Sequence, residues 1–134
     1  MFKKLIANQA INLDLALLIL RVGTSLLLAR HGYDKLHDLL NGAKDFPDPL
    51  HIGAVASLVL TVASEFFCAV LLALGLFSRG ALVGLIICMA VIAFGVNDPS
   101  LDDKEHALLY LLAFVGLLLA GTGKYSLDEK LKTK

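Results

Sequence analysis

Ala81-Leu-Val-Gly-Leu-Ile-Ile-Cys-Met-Ala-Val-Ile-Ala-Phe94 offers no polar face at any helical spacing. A helix on the surface of a soluble bundle keeps a polar stripe toward water with a 3.6-residue period, so this segment argues against a soluble fold. The 134-residue chain around it is 57% hydrophobic. A bilayer core of about 30 Å is crossed by about 20 mainly apolar residues, and four such stretches are visible: Asn12 to Ala29, Ile52 to Phe77, Gly80 to Val96 and Glu105 to Gly121. The last two are short and recruit Asn97 or Thr122, or sit where neighbours thin the bilayer. The expectation is an all-α, integral membrane four-helix bundle forming one domain over residues 1–134.

Lys3 and Lys4 precede the first apolar stretch, as they would in a secretory signal. Arg21 interrupts that stretch, and Leu28-Ala-Arg-His31 is no small-x-small cleavage site, so it reads as a retained span. With the N-terminus in the cytoplasm, the inner side holds Lys3, Lys4, Arg79, Lys124, Lys130, Lys132 and Lys134. The outer side holds Arg30, Lys35, Lys44 and Lys104. That bias favours both termini inside. Twelve basic and twelve acidic residues cancel, which gives no electrostatic reason to expect nucleic acid.

The same orientation gathers the outer acids, Asp34 and Asp102 among them, with His31, His37, His51 and His106 on the outer face. Imidazole and carboxylate suit transition metals, yet no His-x-x-x-His spacing appears and no metal site is expected. Cys68 and Cys88 lie inside spans, which removes them from any secreted disulfide framework. Counted from the inner ends of their spans, both lie on the order of 12 to 14 Å deep, where they can face each other. Buried cysteine otherwise serves as a small hydrophobe.

The connection from Arg30 to Leu50 is the longest. Tyr33-Asp-Lys-Leu-His-Asp-Leu-Leu40 keeps helical apolar spacing, so the first helix either continues past the membrane or turns along its surface. Pro47 and Pro49 then stop regular structure, making an outer lid. Ser78-Arg-Gly80 is short enough to force its flanking helices into antiparallel contact. Ser100, Asp102 or Asp103 is available to cap the fourth helix.

Stripes of small and polar residues predict the bundle interior. Asp14, Arg21, Ser25, Gly32 and Lys35 align on the first helix, and Ser57, Thr61, Ser64, Glu65 and Cys68 on the second. Gly80, Gly84 and Cys88 give a small-xxx-small pattern on the third. A charge at the bilayer centre costs roughly 2.5 to 3.5 kcal/mol on insertion scales, so buried charges find partners and mark functional sites. Arg21 and Glu65 are both central in their apolar stretches, and their matched depth allows an ion pair between them, structural or functional; an unpaired Glu65 would instead become neutral. Near the outer end His31, Lys35, Glu105 and His106 should converge as an entrance.

These residues resemble the DoxX family of small bacterial four-helix membrane proteins over Leu17 to Asp128. The likeness rests on Leu20-Arg21-Val-Gly23, His31-Gly32-x-x-Lys35, Asp48-Pro49-Leu50, Glu65-Phe66-Phe67-Cys68, Leu74-Gly75-Leu-Phe-Ser-Arg79, Glu105-x-Ala107-Leu-Leu-Tyr110 and Gly121-Thr-Gly-Lys-Tyr-Ser-Leu-Asp128. The chain departs from the family's usual look at Arg30 and Thr122. The resemblance implies a bacterial cytoplasmic membrane location and association with quinone- or thiol-linked redox systems, as a membrane subunit beside a redox partner.

Three functions follow. In the first the chain is a membrane subunit or accessory of such a system, with Arg21 or His31 donating to a quinone oxygen and Glu65 relaying a proton. It has no dinucleotide fingerprint, Cys-x-x-Cys pair, iron-sulfur spacing or haem-attachment motif, so a non-catalytic subunit is a better description than an autonomous enzyme. In the second it is a membrane scaffold. In the third it is a small-solute transporter component, which without inverted repeats needs a homo-oligomer.

Overall fold

The computed structural model describes residues 2–42, 48, 51–95 and 101–132, with the side chains of 101–103 left aside. All regular structure among the described residues is helical. After a short α1 (Phe2–Leu5), α2 runs unbroken from Leu13–Leu40, 28 residues. Asn12 starts it: its backbone is extended and its side chain accepts from Leu15 N at 3.1 Å, satisfying one of the free amides of the first turn. At about 1.5 Å per residue α2 is about 42 Å long. The first helix therefore continues past Ala29 without a break as far as Leu40.

A second helical run occupies Ala54–Leu74. It consists of α3 (Ala54–Val62), a π-helical segment (Ala63–Cys68) and α4 (Ala69–Leu74). Asp48 fixes its start by accepting from Ile52 N at 2.9 Å, Gly53 N at 2.8 Å and the Ser57 hydroxyl at 2.9 Å. The Asp48 carboxyl lies below the usual aspartate range: partial burial pushes it up, and these bonds with nearby His51 outweigh that. The run stops at Gly75, which adopts φ 72°, the left-handed conformation that glycine takes without steric cost.

Helices α5 (Ser78–Gly95), α6 (Leu101–Ala120) and a short α7 (Leu127–Lys132) complete the chain. The tight turn before Ser78 makes α4 and α5 antiparallel neighbours, as its brevity requires. Lys104 Nζ over the Phe94 ring, 6.0 Å from its centroid, shows that α5 and α6 also run antiparallel. α5 and α6 pack most extensively, α2 lies along the whole second run, and α2 meets α6 only sparsely. The Pro47 and Pro49 stop, the outer lid and the proposed caps at Ser100, Asp102 and Asp103 fall outside the described residues or side chains.

The core is formed by Leu28, Leu72, Leu85, Met89, Phe114 and Leu117 together with small residues such as Ala81 and Ala93. The surface inverts the soluble pattern. Arg21 and Glu65 are 2% and 3% exposed, whereas Leu112 and Leu119 are 70% and 82% exposed. Ala54–Leu74 and Ser78–Gly95, with mean hydropathies of 2.2 and 2.0, are long and apolar enough to cross a bilayer. Gly32 allows α2 to meet the π-helical segment backbone to backbone: a Cβ there would lie 2.6 Å from Glu65 C and Phe66 N.

Candidate functional site

The register set at Gly32 places Lys35, one turn farther on, beside Glu65. Lys35 Nζ donates to Glu65 Oε2 at 2.7 Å and Oε1 at 2.8 Å. Glu65 is buried and the Lys35 side chain is 29% exposed, so the lysine reaches inward from the edge. Charge-assisted bonds of this kind are short and strong. The pair takes the place of the Arg21–Glu65 contact that matched depth allowed. Arg21 sits about 21 Å away along α2, level with Gly75 and not with Glu65.

Around this pair lie the polar groups of three other helices. Cys88 of α5 lies within hydrogen-bonding reach of Ser64 and within electrostatic reach of Glu65, Lys35 and Cys68. Tyr110 of α6 is within electrostatic reach of Glu65 and stacks on Phe114 with ring centroids 6.0 Å apart. Cys68 Sγ fills the space left by Gly84, 3.3 Å from where a Cβ would stand. π-helical turns inside α-helices recur at functional sites, and here Ser64, Glu65 and Cys68 all belong to one. The assembly is a carboxylate, an ammonium, two thiols and two hydroxyls inside an apolar shell, which suits proton and electron transfer.

A second polar centre lies at the other end of α2. Arg21 donates from Nη1 to Thr122 O at 2.8 Å and from Nη2 to Tyr125 O at 2.7 Å. Asp14 Oδ1 accepts from Lys124 N at 3.0 Å. Asp128 accepts from Phe77 N at 2.7 Å and Ser78 N at 2.8 Å, and its own amide donates to Gly75 O at 2.9 Å. These bonds clasp the chain after α6 against the α4–α5 turn. The Asp128 carboxyl is held below the usual aspartate range; burial raises it, and bonds from Ser78 and Phe77 with the nearby Arg21 guanidinium lower it further. A cavity of about 480 Å³ opens here beside Arg79, Thr122 and Asp128.

The model of the DoxX family matches residues 16–98, well over half of the chain. The chain belongs to the DoxX family. No curated protein and no solved structure matches it. Membership and the two apolar helices make it a membrane protein. The matched stretch of this DoxX-family chain contains Arg21, Lys35, Glu65, Cys68 and Cys88 and stops short of Tyr110 and of the clasp's C-terminal partners Thr122, Tyr125 and Asp128.

Of the residues singled out by sequence, Lys35, Ser64, Glu65 and Cys68 come together, joined by Cys88. Arg21 and Ser25 are buried at 2% and 0% exposure but belong to the other centre, and Arg21 Nε and Ser25 Oγ have no hydrogen-bond partner among the described residues. His31, Glu105 and His106 are exposed, whereas Lys35 turns inward to Glu65. His106 instead borders a cavity of about 230 Å³ between α2 and α6, with Thr24, Leu27, Leu109 and Tyr110. Among the described residues no group of histidine, cysteine and acid side chains is arranged to hold a metal. Sequence reasoning missed Tyr110 and Asp128 as site residues. Both stood in the family-like motifs, but only the fold shows what they face.

Proposed function

We propose that this DoxX-family protein is a multi-pass, four-helix subunit of a bacterial cytoplasmic membrane, both termini inside, and the membrane component of a quinone- or thiol-linked redox system. The observation that carries this reading is the Lys35–Glu65 pair, a 3%-exposed carboxylate bonded at 2.7 Å to an ammonium with two thiols beside it. Buried charges in apolar helices are costly and tend to mark functional sites, and two free cysteines lie near this pair. Glu65 relays a proton, Lys35 holds the carboxylate or a quinone oxygen, and a partner subunit supplies or receives electrons. The Arg21 clasp serves the second reading, a scaffold role, confined to the inner end, where every strong bond goes to the chain's own backbone.

The test is purification in mild detergent, organic extraction for quinones and mass spectrometry of co-purifying chains, with quinone reduction measured in membranes. Parent protein should retain quinone or a redox partner, and Glu65→Gln should lower quinone-linked turnover at least tenfold. A ligand-free, partner-free preparation whose host membranes turn over quinone equally well without it would sink the redox reading.

A further inference from the structure

We propose that Cys68 and Cys88 are a redox-active dithiol that closes to a disulfide inside the bundle and opens again, with a membrane quinone as its electron acceptor. The proposal deepens the redox reading above and rests on it for the acceptor. Its geometric basis is independent of that reading.

The two cysteines come from different helices and meet at one interface. Cys68 closes the π-helical segment, and its Sγ projects onto α5 at Gly84, where a Cβ would stand 3.3 Å away. Cys88 is one turn from Gly84 on the same α5 face, on the order of 6 Å along the axis, and lies within electrostatic reach of Cys68. Both thiols are free and half-buried. The chain contains two cysteines in all, so an internal disulfide has a single connectivity.

The neighbours of Cys88 act in both directions, since the Glu65 charge opposes a thiolate there while the Lys35 charge and a bond from Ser64 favour one. A thiolate, not a thiol, is the species that reacts. Ser64 is within hydrogen-bonding reach of Cys88, and the Lys35–Glu65 pair lies beside it. Glu65 accepts the Cys88 proton while the Lys35 ammonium offsets the thiolate charge. In the full step the two S–H bonds break and one S–S bond forms. Two electrons and two protons pass to the quinone, whose carbonyl oxygens become the hydroxyls of a quinol. Reopening is a thiol–disulfide exchange with a reducing dithiol, which gives up two electrons and two protons, restores both S–H bonds and leaves as a disulfide itself.

The geometry is tested first on the full chain in detergent. Reduced protein is treated with copper phenanthroline, denatured, alkylated with N-ethylmaleimide and weighed intact. An internal bridge appears as a monomer that has lost two hydrogens and takes up no maleimide. Two maleimides on every molecule, or a disulfide-linked dimer, would overturn the proposal. The same readout with decylubiquinone in place of copper should give the bridge, at least tenfold more slowly in Glu65→Gln and Lys35→Met. Bridging by copper but never by decylubiquinone also overturns it, because the acceptor is part of the claim.

The single variants Cys68→Ala and Cys88→Ala should each keep one labelled thiol and lose quinone-linked turnover. Unchanged turnover in both variants ends the dithiol proposal and leaves the redox reading standing. A parent that bridges with decylubiquinone but contributes no turnover to membranes supports the dithiol and ends that reading.

Discussion

Lys35 and Glu65 close a bond of 2.7 Å between residues thirty positions apart, and the bond joins the middle of the second helical run to a part of α2 that lies past its apolar stretch. Either charge alone would be left in an apolar shell. Removing one partner of a buried pair costs about 3 to 5 kcal/mol, and replacing both is much milder. Because the Lys35 side chain is 29% exposed, the loss for Lys35→Met should fall at the lower end, about 3 kcal/mol. Thermal unfolding of Lys35→Met, Glu65→Gln and the double variant in one detergent measures the coupling. Additive losses would show that the two charges do not depend on each other.

Arg21 should behave as a clasp. Arg21→Met removes the donors to Thr122 O and Tyr125 O, 2.8 and 2.7 Å away, and hydrogen bonds to a charged group contribute roughly 1.5 to 3 kcal/mol each. The expected result is a lower melting temperature together with faster trypsin cleavage at Lys124 and Lys130. Equal cleavage rates in parent and variant would mean that the C-terminal segment is held by other contacts.

Gly32 and Gly23 make an internal comparison on one helix. A Cβ at Gly32 would lie 2.6 Å from backbone atoms of Glu65 and Phe66, while at Gly23 nothing stands within 4 Å. Gly32→Ala should therefore destabilise by about 1 to 3 kcal/mol through overpacking and loosen the Lys35–Glu65 bond. Gly23→Ala should stabilise by about 0.4 to 1 kcal/mol by restricting the unfolded chain. Opposite signs in two melting curves are the expected pattern, and equal effects would show that the close approach is relaxed in solution.

Asp128 gives the Arg21 clasp an acid limit. Its folded carboxyl lies below the ordinary value of 3.8, so its contribution is fully present above that value and is lost as pH falls through the lower, folded one. Asp48 is shifted in the same direction, so parent protein alone does not isolate the effect. Melting from neutral pH to about pH 3 should show Asp128→Asn less stable than parent at neutral pH and closer to it in acid. A gap that stays constant with pH would remove the carboxylate's charge from the explanation.

Much of the helical content was legible from local pattern. Asn12 stands at the start of its helix with a residue type suited to capping, and the tight antiparallel turn between the second and third helices was legible, although it falls at residues 75–77 and Ser78-Arg-Gly80, read as the connection, opens α5. The family-like motifs lay in one order along the chain. What failed was depth. Treating Asn12 to Ala29 as the membrane-crossing part put Arg21 at its centre and left Lys35, though on the same stripe, at the outer entrance. The actual helix ends at Leu40, which brings Lys35 into the interior. The C-terminal α7 left little signal, since a few residues of mixed charge carry no strong period.

By itself the sequence determined that the chain is helical, too apolar for water on at least two helices, and polar along particular stripes, because periodicity and composition are local properties of the chain. Only the tertiary structure decided which stripe residues meet. That choice depends on the sliding register between helices, and here the register is set by one backbone contact, Gly32 against Glu65 and Phe66. A shift of one turn, about 5.4 Å, would carry Lys35 past Glu65 and separate the charges. The same register, with the gap at Gly84, brings Cys68 and Cys88 to one interface, an arrangement that their positions in the sequence allowed but did not require.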